Sequence, residues 1–175
     1  MSHNRPLALP TDSARVQVKN RAAWNEVRSQ EEADFFTISY AGRTIDDVIC
    51  ALRSAGVMTL VDVRHTPVSM YKPEFSKSNL RRHLEDSGFR YLHLPEWGIP
   101  RDIRSLAIGK ADRADLWEWY DRNVADCYIG QNLHYFLNFA DHPVALMCLE
   151  TDPTSCHRHR LGLALERLGM RGFDL

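Results

Sequence analysis

The sequence predicts a single α/β domain: a sheet of four to five mainly parallel strands, helices on both faces of that sheet, and a helical insertion before the last core strand. Short apolar runs suited to strands buried on both faces alternate with amphipathic helical segments. Their order is consistent with parallel pairing through right-handed crossovers. The chain has 175 residues, of which 44% are hydrophobic, which suits one globular domain.

The sequence predicts a partly irregular N-terminal extension over residues 1–33. It predicts that residues 34–175 form the α/β domain. The first segment mixes Pro, Ser, Asn and charged residues with little periodicity. It also lacks the hydrophobic core of a signal peptide, and no apolar run in the chain is long enough to span a bilayer. We therefore expect a cytoplasmic protein without a membrane partner. Four scattered cysteines predict free thiols rather than a disulfide scaffold.

The first half of the domain predicts two strands joined by a helix. Residues 35–40 are typical of a strand, and Thr44 with Asp47 three residues later is a weak capping box that predicts the start of a helix. Gly56 predicts the end of that helix. Residues 58–64 are apolar and β-branched enough for a second buried strand.

A third strand and a long helical region follow. Residues 79–87 predict a helix and residues 89–94 a strand, which the segment from Pro95 to Pro100 ends. Residues 101–142 have a helical pattern and form the predicted insertion.

The last part of the chain predicts a strand, a helix and a short edge strand. Residues 143–147 are an apolar run, and Asp152 followed by Pro153 predicts a helix N-cap and first turn. The helix has an apolar stripe and ends at Gly169, and residues 171–175 complete the predicted sheet. The stripe consists of Leu161, Ala164, Leu165 and Leu168.

Polar residues follow four of the predicted strands. Parallel sheets bind ligands beyond the carboxyl ends of their strands, so we expect these residues to share one site. They are Ser39, Tyr40, Asp62, Arg64, His93, Glu96, Cys148 and Glu150.

Asp62 and Arg64 are two residues apart in a strand and therefore share a face. A buried charge needs a partner, so we expect Asp62 to bond a neighbouring backbone group or cation. We expect Arg64, nearer the solvent edge, to bind an anionic group through its planar fork, or alternatively to form an ion pair with Glu150.

The densest group of reactive side chains lies between residues 148 and 158. We expect Cys156, His157 and Arg158 in the opening turns of the last helix, where free N–H groups and the macrodipole favour anions and lower thiol pKa values. Each residue alone is more often structural. Together they indicate a site.

Four motifs in this order resemble the domain of unknown function 488 family, over residues 35–175. This resemblance implies a compact α/β domain, enzymatic in nature, with a polar cluster at Arg64, Ser69, Glu150, Cys156, His157 and Arg158. The sequence departs from the family pattern at Ser39-Tyr40 and at Trp97. The motifs are Thr37-Ile38-Ser39-Tyr40-Ala41-Gly42, then Val61-Asp62-Val63-Arg64 with Pro67 and Ser69, then Tyr91-x-His93-Leu94-Pro95, and finally Met147-Cys148-x-Glu150-x-Asp152-Pro153-x-x-Cys156-His157-Arg158.

The first functional hypothesis is an enzyme for a small anionic substrate: a nucleotide, another phosphate compound or a sulfur-containing metabolite. It requires no cofactor. Glu150 or His157 would act as general acid or base, and Cys156 as a nucleophile, with Cys148 as a further catalytic residue. The predicted substrate-binding residues are Arg64, Arg158, Ser69, Tyr40, Asp62 and Tyr71.

Two alternatives remain open. Cys148, Glu150, Cys156 and His157 would suit zinc or iron, although the spacing lacks a Cys-x-x-Cys knuckle and the chain between the cysteines would have to fold back. The second alternative is a non-catalytic module that binds nucleic acid or protein. The net charge of -1 at a pI near 6.7 makes nucleic acid possible but not favoured.

Overall fold

The protein is described by a computed structural model over residues 29–107, 113–129 and 140–175. Five parallel strands form one sheet: β1 (Phe35–Ser39), β2 (Thr59–Asp62), β3 (Arg90–His93), β4 (Val144–Cys148) and β5 (Gly172–Asp174). Their order across the sheet is β3-β2-β4-β1-β5. The predicted α/β class is confirmed, and every strand pair is parallel.

Five α-helices accompany the strands in the described ranges. The last turn of α4 continues into a π-helix over Asp121–Ile129. Residues 1–28 of the predicted extension and residues 108–112 and 130–139 of the predicted insertion lie outside the described ranges. The helices are α1 (Ile45–Ser54), α2 (Lys77–Asp86), α3 (Arg101–Ser105), α4 (Ala114–Tyr120) and α5 (His157–Arg167).

The capping box predicted for α1 is present. The hydroxyl of Thr44 accepts the backbone N–H of Asp47 at 3.2 Å, and the Asp47 carboxylate accepts the Thr44 N–H at 2.8 Å. Gly56 follows the helix with φ +65, a left-handed conformation that glycine adopts without a steric penalty. The helix thus begins and ends where the sequence predicts.

Helices cover both faces of the sheet. On one face, α1 and α2 bury Leu52 and Leu80 against Ile38. On the other face, α5 and the α4 segment bury Leu161 and Tyr120. Because β1 and β4 lie inside the sheet with both faces covered, all of their residues are buried.

Among the helices of the described ranges, none combines the length and apolar character that a bilayer span requires.

Candidate functional site

The carboxyl ends of the parallel strands meet beside a cavity of about 570 Å³. This volume lies within the range of about 300–1,000 Å³ that is usual for small-molecule sites. Tyr40, Arg64, Cys148 and Glu150 line it from the ends of β1, β2 and β4. The expectation that strand ends share one location is met for β1, β2 and β4, whereas His93 and Glu96, at the end of β3, lie outside the cavity lining.

Two side chains that line the cavity, Cys148 and Glu150, and two buried behind them, Cys156 and His157, form what we call the thiol cluster. Glu150 Oε2 accepts the thiol of Cys148 at 3.0 Å and the thiol of Cys156 at 3.1 Å. The Cys148 sulfur lies 3.7 Å from His157 Nδ1. One potential ligand atom from each residue lies within 4.8 Å of all the others.

A turn between the two cysteines brings them together. The sequence predicts Asp152 as the helix N-cap, but Pro153–Ser155 instead form a 3-10 turn and α5 begins at His157 with Cys156 as its cap. Ser155 Oγ donates to Asp152 Oδ2 at 3.0 Å, and the Cys156 N–H closes the turn on Pro153 O at 2.9 Å. Asp152 thus caps the turn rather than the helix.

His157 has a defined orientation inside the domain. Its Nε2 lies 2.9 Å from the carbonyl oxygen of Val63, which can only accept, so this nitrogen carries the proton. The ring of Tyr120 packs edge-on, with centroids 5.5 Å apart. When the imidazole is neutral, the lone pair therefore lies on Nδ1.

Burial and close neighbours shift the pKa values in the cluster. Burial alone would raise the pKa of Glu150, but the Cys148 thiol and His157 hold it below its usual value. Burial raises the pKa of the Cys156 thiol, and Cys148 raises it further. Burial alone would lower the pKa of His157, but Cys156, the Val63 carbonyl and Glu150 raise it.

The expected low pKa of Cys156 is therefore wrong. A helix start favours an anion by about 0.3–1 kcal/mol. Cys156 is only 1% exposed, and burying an unpaired anion costs several kcal/mol. The cost of burial is the larger effect, so the thiol remains protonated in the absence of a cation.

Arg64 is not at the solvent edge and is not paired with Glu150, contrary to both expectations. Its Nε and one terminal nitrogen donate to the two oxygens of Asp62 at 2.8 and 2.6 Å. Two further N–H groups reach the Tyr40 hydroxyl at 3.0 Å and the Phe75 carbonyl at 2.8 Å, so four of the five N–H donors are used within the protein. The prediction that Asp62 bonds a cation is confirmed. This cation is Arg64, so the guanidinium is held by the protein and forms part of the cavity wall.

Arg158 is also not placed to hold a substrate. Its side chain is fully buried, and it donates to the backbone carbonyls of Glu150 and Thr151. It therefore fixes the segment that carries Glu150 above the start of α5.

The other predicted binding residues differ in position. Tyr40 lines the cavity, with its ring stacked on Phe75 at 4.4 Å. Ser69 lies outside the cavity lining and exchanges hydrogen bonds with Ser76. Tyr71 is fully exposed and also outside the lining. The structure thus brings Tyr40 to the site but not Ser69 or Tyr71.

Two arginines that the sequence analysis overlooked line the cavity: Arg101 and Arg104 of α3. They are three residues apart and so share one helix face. Both are exposed, and within the described part of the chain neither guanidinium has a hydrogen-bond or ion-pair partner. Their place just after the break at Pro100 was a usable signal, because this break follows the end of a predicted strand.

The family model described as Domain of unknown function DUF488 matches residues 44–165. This is more than half of the chain, and the protein therefore belongs to that family. No curated protein and no solved structure matches the chain.

Proposed function

We propose that the protein is an enzyme that binds a small anionic substrate in the cavity at the carboxyl ends of the strands. The observation that carries the proposal is the position of Arg101 and Arg104, which line the same cavity as Cys148 and Glu150. The arginines bind the charged group of the substrate. The carboxylate and thiol face its reacting part.

The electrostatics of the cavity support an oxyanion, with phosphate as the first candidate. A guanidinium presents several N–H donors in one plane, which matches phosphate, sulfate or carboxylate oxygens. Arg64 is neutralised by Asp62 at 2.6 Å, so the attraction comes from the two arginines of α3. Val68, Ile99 and Leu149 supply apolar lining for an uncharged part of the substrate.

The floor of the cavity supports catalysis rather than binding alone. Glu150 is half-buried and has a pKa below its usual value, so an ionised carboxylate that can accept a proton lines the cavity beside Cys148. Ionisable groups with perturbed pKa values in a concave site are typical of enzymes. Cys156 and His157 lie behind Glu150 and Cys148 and position them.

Anion binding by the purified protein tests the proposal. Inorganic phosphate and a nucleoside monophosphate would be titrated calorimetrically into the wild type, Arg101→Ala, Arg104→Ala and the double variant. We expect each single change to weaken binding about tenfold or more, because a charge-assisted hydrogen bond contributes about 1.5–3 kcal/mol. Arg82→Ala is the control, since Arg82 is an exposed arginine of α2 outside the cavity lining.

Equal affinity in the wild type and the double variant would contradict the anion site. The enzymatic part has its own test, which is turnover across a panel of phosphate and sulfate esters. Binding of these compounds without conversion of any of them would count against an enzyme.

A further inference from the structure

We infer that Cys148, Glu150, Cys156 and His157 form a binding site for one divalent transition-metal ion, and that zinc is its natural occupant. This inference goes beyond the anion site and does not depend on it. It is carried by the donor set, the spacing of the donors, and the contacts that hold them in place.

The donor set is that of a zinc site. Two thiolates, an imidazole and a carboxylate are all established zinc ligands, and four of them complete a tetrahedron. Soft sulfur ligands disfavour magnesium and calcium, which prefer oxygen. Iron also accepts these ligands, but four protein ligands from single side chains match the four-coordinate sites that zinc prefers.

The spacing of the donors fits a single ion. Zinc bonds of about 2.3 Å to sulfur and about 2.1 Å to nitrogen or oxygen place neighbouring tetrahedral ligands about 3.6 Å apart. Cys148 Sγ lies 3.0 Å from Glu150 Oε2 and 3.7 Å from His157 Nδ1. Cys156 Sγ lies 3.1 Å from the same carboxylate oxygen. All four donor atoms lie within 4.8 Å of one another, so shifts of about 1 Å or less convert the cluster into a coordination shell.

The fold of the backbone brings the two thiols together, although their spacing in the sequence is not that of a zinc knuckle. A Cys-x-x-Cys knuckle brings two thiols together locally, whereas Cys148 and Cys156 are separated by seven residues. The 3-10 turn at Pro153–Ser155 reverses the chain, so that the end of β4 and the start of α5 meet. Arg158 then fastens the intervening segment through the carbonyl of Glu150.

His157 has the environment of a metal ligand. Metal-bound histidines usually donate their second ring N–H to a carbonyl or carboxylate, which fixes the tautomer and the ring orientation. The Nε2 of His157 makes this contact with Val63 O at 2.9 Å. The lone pair is consequently on Nδ1, which lies 3.7 Å from the Cys148 sulfur, while Nε2 lies 3.8 Å from it.

Hydrogen bonding alone explains the cluster poorly. Thiols are weak donors, yet both converge on one oxygen of a half-buried carboxylate. Burial of a carboxylate costs several kcal/mol unless strong partners compensate. A divalent cation bound by all four groups would be a strong partner, and in the metal-bound protein Cys148 and Glu150 would present this ion, rather than a free thiol and carboxylate, to the cavity.

Metal content of untagged protein purified without chelator tests the inference. We expect about one zinc per chain by mass spectrometry, lost with a strong chelator and restored by zinc. Replacement by cobalt should give the near-ultraviolet absorption of thiolate-to-cobalt charge transfer. Cys148→Ser and Cys156→Ser should lose that absorption, whereas the controls Cys50→Ser and Cys127→Ser, which change exposed cysteines, should keep it.

Wild-type protein that contains no metal and gives no thiolate absorption with cobalt would overturn the inference. Full metal content in the Cys148→Ser/Cys156→Ser double variant would do the same. The wild-type cobalt spectrum decides the question even where a variant fails to fold. An Arg101→Ala/Arg104→Ala variant that keeps its metal while losing phosphate separates this site from the anion site.

Discussion

Arg64 and Asp62 form a fork-to-fork ion pair at the carboxyl end of β2, with contacts of 2.8 and 2.6 Å between guanidinium nitrogens and carboxylate oxygens. Their side chains are only 7% and 0% exposed. The hydroxyl of Tyr91 also donates to Asp62, at 2.8 Å. Asp62, Arg64 and Tyr91 therefore form one buried hydrogen-bonded group that supports the cavity wall. Removal of Arg64 should for this reason affect the stability of the fold, unlike removal of an arginine that only binds substrate.

Arg64→Ala should lower the free energy of unfolding by about 3–5 kcal/mol, because it leaves the carboxylate of Asp62 buried without its cation. Urea denaturation measures this change. Asp62→Asn combined with Arg64→Met should cost less than the sum of the two single changes, since neither charge is left alone. Arg122→Ala is the control. It removes an ion pair with Glu118 that has the same N–O distance of 2.6 Å but is highly exposed, so we expect little effect on the free energy of unfolding. A small loss for Arg64→Ala would contradict this account.

Gly98→Ala should destabilise the protein by about 3 kcal/mol or more, beyond the usual cost of overpacking. A Cβ at this position would lie 2.2 Å from the backbone nitrogen of His65 and 2.6 Å from its Cα. Because His65 lines the cavity, phosphate affinity should fall as well. Calorimetric unfolding and phosphate titration measure the two effects.

Gly88→Ala is the matched control for Gly98→Ala. Gly88 has φ +87 and open space around a Cβ, so the change should cost about 1–2 kcal/mol through backbone strain alone. Phosphate affinity should not change. Similar losses in both variants would show that the contact with His65 is unimportant.

The four cysteines should react with a thiol reagent in two classes. Cys50 and Cys127 are exposed, whereas Cys148 and Cys156 are each 1% exposed, so native protein should modify the first pair rapidly and the second pair slowly. Urea should remove the difference. Peptide mapping after timed labelling identifies each residue, and rapid native labelling of Cys156 would contradict its burial.

The stabilisation by the α1 capping box should disappear in acid. Backbone and side-chain hydrogen bonds from Thr44 lower the pKa of Asp47 below its usual 3.8. A lowered folded-state pKa contributes stability above the usual pKa, and this contribution is lost as the pH falls through the lowered value. The difference in unfolding free energy between the wild type and Asp47→Asn should thus be constant near neutrality and shrink below about pH 4. A difference that grows on acidification would contradict the assignment.

The sequence was sufficient to predict the strands, their parallel pairing and the capping of α1, because these depend on local patterns. Residues 58–64 and 143–147 are apolar runs flanked by turn residues, and such runs favour central parallel strands. The order of the strands across the sheet cannot be predicted from such local patterns. It depends on which surfaces pack together, and no local pattern encodes that β4 lies between β1 and β2.

The sequence predicts the position of the site better than it predicts the role of each residue in it. The ends of β1, β2 and β4 converge as expected, but His93 and Glu96 of the third strand end lie outside the cavity lining, and Arg64 and Arg158 are internal supports. A cation is satisfied by the nearest acceptor, and for Arg64 this is Asp62, two residues away on the same strand face. In the described part of the chain, the cavity-lining arginines without a protein partner are Arg101 and Arg104, whose approach to the cavity follows from tertiary packing of α3.

Because β4 lies between β1 and β2, the strand that joins the two parts of the sheet is also the strand that carries Cys148 to the site. β1 and β2 are joined through α1 but do not pair; each pairs with β4, whose residues come more than eighty positions after β2. A nascent chain that has not yet delivered residues 144–148 holds two sheet fragments with unpaired edges, which are prone to wrong association. The strand that joins these two fragments ends at Cys148, so the central strand of the sheet and the first donor of the thiol cluster arrive together, before β5 pairs with β1.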